Sequence, residues 1–136
     1  MTRRTGTPTA TAPPALLPVL LPALLDVAFV LVFAALGRGS HAEALTPAGI
    51  WQTAWPFLAG LAIMWIAALV WRRPTAVLRS GVPVWVGTVA LGMVLRVLFT
   101  AGGAALPFVI VATIALGLLL VGWRAVWALI RRVRRA

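Results

Sequence analysis

Residues 15–36 read ALLPVLLPALLDVAFVLVFAAL, a run of 22 residues whose only ionisable group is Asp26. A helix rising 1.5 Å per residue needs about 20 apolar residues to cross a hydrocarbon core about 30 Å thick, so this stretch is long enough to span a membrane. Asp26 does not prevent that. On the insertion scale an Asp at mid-span costs about 3 kcal/mol, whereas each Leu, Val, Ile or Phe contributes about −0.3 to −0.6. Fourteen such residues lie between Leu16 and Leu36, which sums to about −4 to −8 kcal/mol, so the helix inserts without a partner for its acid.

Three more stretches follow the same pattern. They run over about 53–71, 82–99 with Arg96 inside, and 104–123. The whole chain agrees: 62% of its 136 residues are hydrophobic and 10% charged, against about 45–50% and about 25% for soluble domains. A disordered chain is excluded for the same reason, because it would be poor in Leu, Val, Ile and Phe. The expected architecture is an all-α integral membrane protein of four transmembrane helices, paired as two antiparallel hairpins. Residues 1–14 form a polar, disordered tail, 15–127 the membrane domain, and 128–136 a basic tail.

Basic residues in short loops are retained in the cytoplasm. All 12 basic residues are Arg, and they divide unequally between the two ends of the spans. Arg3, Arg4, Arg72, Arg73, Arg79, Arg124, Arg131, Arg132, Arg134 and Arg135 fall on one side; Arg38 falls on the other, with Arg96 just below it. Both termini are therefore expected in the cytoplasm, with the chain in a bacterial inner membrane. Trp71, Trp85, Trp123 and Trp127 at the inner boundary and Trp51 and Trp55 at the outer one fit the preference of amphipathic rings for the interface; Trp65 alone falls well inside a span. The first span is too long, and carries its acid too centrally, to read as a cleaved signal ending near Ala42-Glu43-Ala44. Arg3-Arg4 is followed by Thr5, Gly6 and Thr7 where a twin-arginine signal becomes apolar.

Asp26 is the most informative residue, because ionisable groups inside spans face the bundle interior or a water-filled path. Asp26 is about 17 Å along its helix from Ala15, and Arg96 about 21 Å along its own from Val82, on two spans that run the same way. An Asp26 to Arg96 ion pair is the sharper expectation. The alternative has Arg96 snorkelling to the outer headgroups and Asp26 bonded to a backbone carbonyl. Trp85, Thr88, Gly92 and Arg96 share one face of span three, and Thr113, Gly117 and Arg124 one face of span four, where small residues let helices approach closely. Pro18 and Pro22 share a face with Asp26, and kinks there could open a polar cavity beside it.

Arg38, Ser40, His41 and Glu43 form the one patch of mixed polar chemistry in the outer loop, a second candidate site. Two possible ligands fall short of the three a catalytic zinc takes from protein, and no metal or other cofactor is expected. Cysteine is absent, so thiol chemistry is excluded. No Ser, His and acid set, phosphate-binding glycine loop or paired carboxylates suggest an enzyme. Arg131, Arg132, Arg134 and Arg135 directly after a span are read as setting topology and touching anionic lipid in the bilayer, rather than nucleic acid. Pro56-Phe57 with Trp71-Arg72, and Pro107-Phe108 with Trp123-Arg124, hint at a repeated hairpin.

Several short pieces also resemble a known family. They are Asp26-Val27, FAALGRGSH at 33–41, TAWPFLAG at 53–60, WRRP at 71–74, Trp85 with Thr88, Gly92-Met93 with Arg96, and Gly122-Trp123-Arg124. In order and spacing they resemble the small, mostly actinobacterial membrane proteins of domain of unknown function 3054. The resemblance implies a four-helix integral membrane protein and carries no activity. Two functions are left: a non-enzymatic component acting through helix packing with itself or a partner, and an oligomeric minimal transporter or channel subunit using Asp26 with Arg96.

Overall fold

A computed structural model describes Gly6, residues 16–40 and residues 44–136, so His41 and Glu43 lie outside the described residues. These residues are helical almost throughout, with no strand among them. Helix α1 covers Leu17–Ser40 and α2 Pro47–Ala67. A single 3₁₀ turn (Val70–Arg72) and a π turn (Val77–Gly81) lead into α3, Val82–Phe99. Helix α4, Leu106–Leu116, continues through a second π turn, Gly117–Val121, into α5, Gly122–Arg135. Four continuous helical stretches, Leu17–Gly39, Pro47–Ala67, Val77–Phe99 and Leu106–Arg135, are long and apolar enough to cross a membrane.

The boundaries differ from expectation for local reasons. Helix α2 starts six residues early, because Thr46 is an N-cap whose hydroxyl accepts from Gly49 N at 3.0 Å and Pro47 occupies the first turn, where its missing N–H costs nothing. It ends early too, at Ala67, where Leu69 turns into the left-handed region (φ 50°) and reverses the chain without a glycine to announce it. The basic segment 128–136 continues the helix as far as Arg135. There Val126, Leu129, Ile130 and Val133 share one face, while Arg131, Arg132, Arg134 and Arg135 take the other.

The helices pack as antiparallel neighbours in the cyclic order one, two, three, four. The tightest pair is α2 with α3. A Cβ placed on Gly60 would stand 3.2 Å from the backbone N of Gly92 and the O of Thr88, and the Phe57 ring fills the space a Gly92 side chain would take. Glycines on both sides thus bring the two backbones together, the small-residue packing that replaces hydrophobic drive inside a bilayer. Across the α3 to α4 contact, the Trp85 indole lies over Gly117 and donates to Thr113 O at 2.8 Å. Trp85 is therefore turned into the bundle.

At mid-bundle Phe33, Phe57 and Phe108 meet, with ring centroids 5.1 Å apart for the edge-to-face pair Phe33 and Phe57 and 6.2 Å for the other two pairs. Val30, Leu61, Val89, Met93 and Ala112 complete this core. Less than a third of each membrane-length window is buried, and the outward faces carry Leu24, Ile66, Val94, Ile114 and Leu118. An apolar exterior around a packed interior suits hydrocarbon surroundings rather than water.

Candidate functional site

Asp26 and Arg124 are both fully buried and face each other at one level of the bundle. The guanidinium meets the carboxylate edge to edge: Nη1 donates to Oδ1 at 2.8 Å and Nη2 to Oδ2 at 2.7 Å. Two indoles complete the set. Trp123 Nε1 donates to Oδ1 at 2.8 Å, and Trp65 Nε1 to Oδ2 at 2.9 Å. A carboxylate offers about four lone-pair positions, and these four donors from α2 and α5 occupy them.

The arginine is held as firmly. Its Nε donates to Pro74 O at 2.8 Å and its Nη1 also to Leu120 O at 2.8 Å, while its guanidinium carbon lies 4.5 Å from the Trp123 ring centre. Both π turns serve this position. Gly81, at the end of the first, leaves room for the Arg124 stem, since a Cβ there would stand 3.0 Å from Arg124 Cδ. The second ends three residues before Arg124, and its Leu120 carbonyl is the one the guanidinium reaches back to. The loop that presents Pro74 O is itself tied, because the buried Ser80 hydroxyl donates to Arg73 O at 2.6 Å.

The expected Asp26 to Arg96 pair is not what forms. Helix α1 is observed from Leu17, so Asp26 stands nine residues, about 14 Å, along it; the helical stretch carrying Arg96 begins at Val77, which puts Arg96 about 28 Å along. The two are separated by about half the membrane thickness. Arg96 instead seals the α3 to α4 turn: Nε donates to Gly103 O at 2.8 Å, Nη2 lies 3.4 Å from Gly102 O, and the guanidinium stacks 4.1 Å over Phe108. Gly103 adopts φ 63° to offer its carbonyl there.

Arg96 shares a cavity with another candidate residue, Arg38. This cavity, of about 550 Å³ at that end of the bundle, is also lined by Gln52, Thr53, Trp55 and Thr100. Arg38 Nε donates to Ala44 O at 3.0 Å and its Nη1 lies 3.3 Å from the Thr53 hydroxyl. The cavity does not communicate with Asp26, because the three phenylalanines fill the interior between them.

Pro18 and Pro22 do not open a polar cavity either. With Leu17, Leu21, Leu25 and Trp123 they wall an apolar groove outside the ion pair. Arg124 is the residue that sequence reasoning counted toward topology and placed on one face with Thr113 and Gly117, without giving it a partner. Its position at the end of a 20-residue apolar window hid it, whereas the helix that contains it runs on to Arg135. A usable signal was present: Arg124 follows Gly117 by seven residues on the face already read as packing inward.

Three of the pieces that carried the family resemblance, Asp26, Trp71 to Pro74 and Trp123-Arg124, come together at this one site. No curated protein and no solved structure matches the chain. Residues 23–127 match the family described as Protein of unknown function (DUF3054), and a match over that much of the sequence means that the chain belongs to this family.

Proposed function

We propose that the protein is a non-enzymatic, multi-pass component of a bacterial inner membrane, both termini cytoplasmic, that works by packing its outward helix faces against a second copy or another membrane protein. One observation carries the reading. The single acid in the spans is fully engaged by Arg124, Trp65 and Trp123, and so offers no open coordination for a cation. What the spans turn outward is apolar surface. Anionic lipid around Arg131, Arg132, Arg134 and Arg135 and no nucleic acid complete the proposed set of partners, because basic residues next to a span sit at headgroup level.

The oligomeric transporter reading is second. The cavity lined by Arg38 and Arg96 would be its entrance, but transport needs a continuous polar path, and the aromatic core interrupts it. Purified protein in liposomes is expected to show no proton or cation flux above protein-free vesicles, while cross-linking in the membrane captures a dimer or a fixed partner. A flux that disappears in Asp26→Asn, with folding and oligomeric state unchanged, reverses the order of the two readings.

A further inference from the structure

Beside the buried ion pair, on the bundle exterior, runs a groove of about 520 Å³ between α1 and α5. Its walls are two stripes at helical spacing: Leu17, Leu21 and Leu25 on α1, and Trp123, Trp127 and Arg131 on α5. The helices are antiparallel, so Leu25 lies near Trp123 at the closed end, and Leu17 lies near Arg131 at the open one. Arg131 stands seven residues, about 10 Å, beyond Arg124. Arg131 also borders a second, separate hollow with Arg132 and Arg135.

We propose that this groove is a discrete binding site for one anionic phospholipid, its phosphate on Arg131 and an acyl chain against Leu21, Leu25 and the two indoles. The inference rests on the reading of the chain as a membrane protein whose basic end meets anionic lipid, and narrows that diffuse attraction to one place. Two properties select this occupant. The lining is apolar apart from Thr75 and Arg131, which suits a hydrocarbon chain better than a soluble anion. The only charged group in the lining sits at the mouth, where the helix meets headgroup level, and it is positive. A zwitterionic lipid fills the trough equally well, but its own ammonium offsets much of the attraction between its phosphate and the guanidinium, so its net gain is smaller.

The site is also tied to the interior. Trp123 presents its ring to the groove and its Nε1 to Asp26, so a chain lying against that ring buttresses the donor that holds the carboxylate.

Spin-labelled phosphatidylglycerol and phosphatidylcholine, each in phosphatidylcholine bilayers containing the protein, distinguish the possibilities through the motionally restricted component of the spectrum. The expected result is one restricted site that prefers phosphatidylglycerol by about five-fold, the equivalent of the ~1 kcal/mol that one basic residue contributes near an anionic surface. Arg131→Gln removes the preference, and Arg134→Gln, which deletes the same charge outside the groove, keeps it. Leu21→Trp, at a half-exposed position that packing does not depend on, fills the trough without changing charge and also removes the preference.

Equal losses in Arg131→Gln and Arg134→Gln overturn the groove while leaving the diffuse electrostatic reading in place. Retained preference in Leu21→Trp overturns it as well, since the chain then lies elsewhere. A rise in restricted lipid on deleting residues 2–14 makes the chain's own N-terminal segment the occupant. No preference in the unaltered protein removes both the groove and the broader lipid reading.

Discussion

Asp26 and Arg124, 98 residues apart in sequence, join the first and last membrane-length helices through two parallel hydrogen bonds of 2.8 and 2.7 Å in the fully buried interior. Desolvating two charges is costly, and the mutual attraction repays it only with good geometry and further bonds to the remaining donors and acceptors. Both conditions hold here. The pair works as a clasp that closes the cycle of four helices, because the contact between the first and last elements is the one with the largest loop to close.

Replacing either partner alone strands the other in a dry interior. Asp26→Ala or Arg124→Ala is expected to lower stability by about 3 kcal/mol or more, measured as loss of folded protein in a detergent unfolding titration. The double variant Asp26→Ala with Arg124→Ala is expected to lose less than the sum of the singles, as coupled neighbours do. Strictly additive losses would show that the two residues do not act as a pair. The exchange Asp26→Arg with Arg96→Asp, in contrast, is expected to recover nothing.

The two indoles test the second layer of the same site. Trp65→Phe and Trp123→Phe each keep an aromatic ring and delete one N–H donor to the carboxylate, for an expected loss of about 1.5–3 kcal/mol, the range for hydrogen bonds to charged groups. Trp51→Phe is the control, since Trp51 is 59% exposed and is expected to change stability by less than about 0.5 kcal/mol. Equal effects at all three positions would deny Trp65 and Trp123 their role.

The fold was legible because a membrane span is a long, one-dimensional signal: four apolar runs named four helices. Their ends were less so. Thr46-Pro47 is a readable start that the apolar count passed over, and the left-handed Leu69 has no sequence mark at all. The Asp26 site was half legible. That Asp26 should face the bundle interior followed from its being ionisable inside a span, but naming Arg96 as its partner rested on assumed helix starts, and shifts of two and five residues in opposite senses separated two depths that had looked equal. Trp123 as a donor could not be read from composition, because an indole near a span end fits an interfacial anchor equally well; Trp65 stood out as the one tryptophan well inside a span, but nothing in the sequence paired it with Asp26.

Close packing of α2 on α3 gives a third prediction. A methyl on Gly92 would collide with the Phe57 ring, which would have to move and take the Phe33 and Phe108 contacts with it. Gly92→Val is expected to cost about 1–3 kcal/mol, the usual penalty for overpacking. Gly37→Ala, where nothing lies within 4 Å of the added carbon, is expected to be close to neutral. Thermal unfolding of the two purified variants, compared side by side, checks this, and an equal effect would remove the close approach as a source of stability.

The orientation proposed for the chain makes a last prediction. Arg124 is sealed against Asp26 in the folded protein, but orientation is decided while loops are still near the membrane surface, by basic residues counted in short loops and close to span ends. Arg72, Arg73 and Arg79 lie between the second and third spans, and Arg131, Arg132, Arg134 and Arg135 at the end of the fourth. The only bases at the opposite ends are Arg38 and the partly buried Arg96. Reporter fusions after Ala136 and within residues 73–80 are both expected to signal cytoplasm, and a fusion within residues 41–46 the periplasm. Removing Arg72, Arg73 and Arg79 together should yield a mixed population, because Arg3 and Arg4 and the terminal cluster then act without support from the middle loop. A periplasmic signal from either of the first two fusions in the unaltered protein would invert the assignment, and with it the leaflet in which the groove beside Arg131 lies.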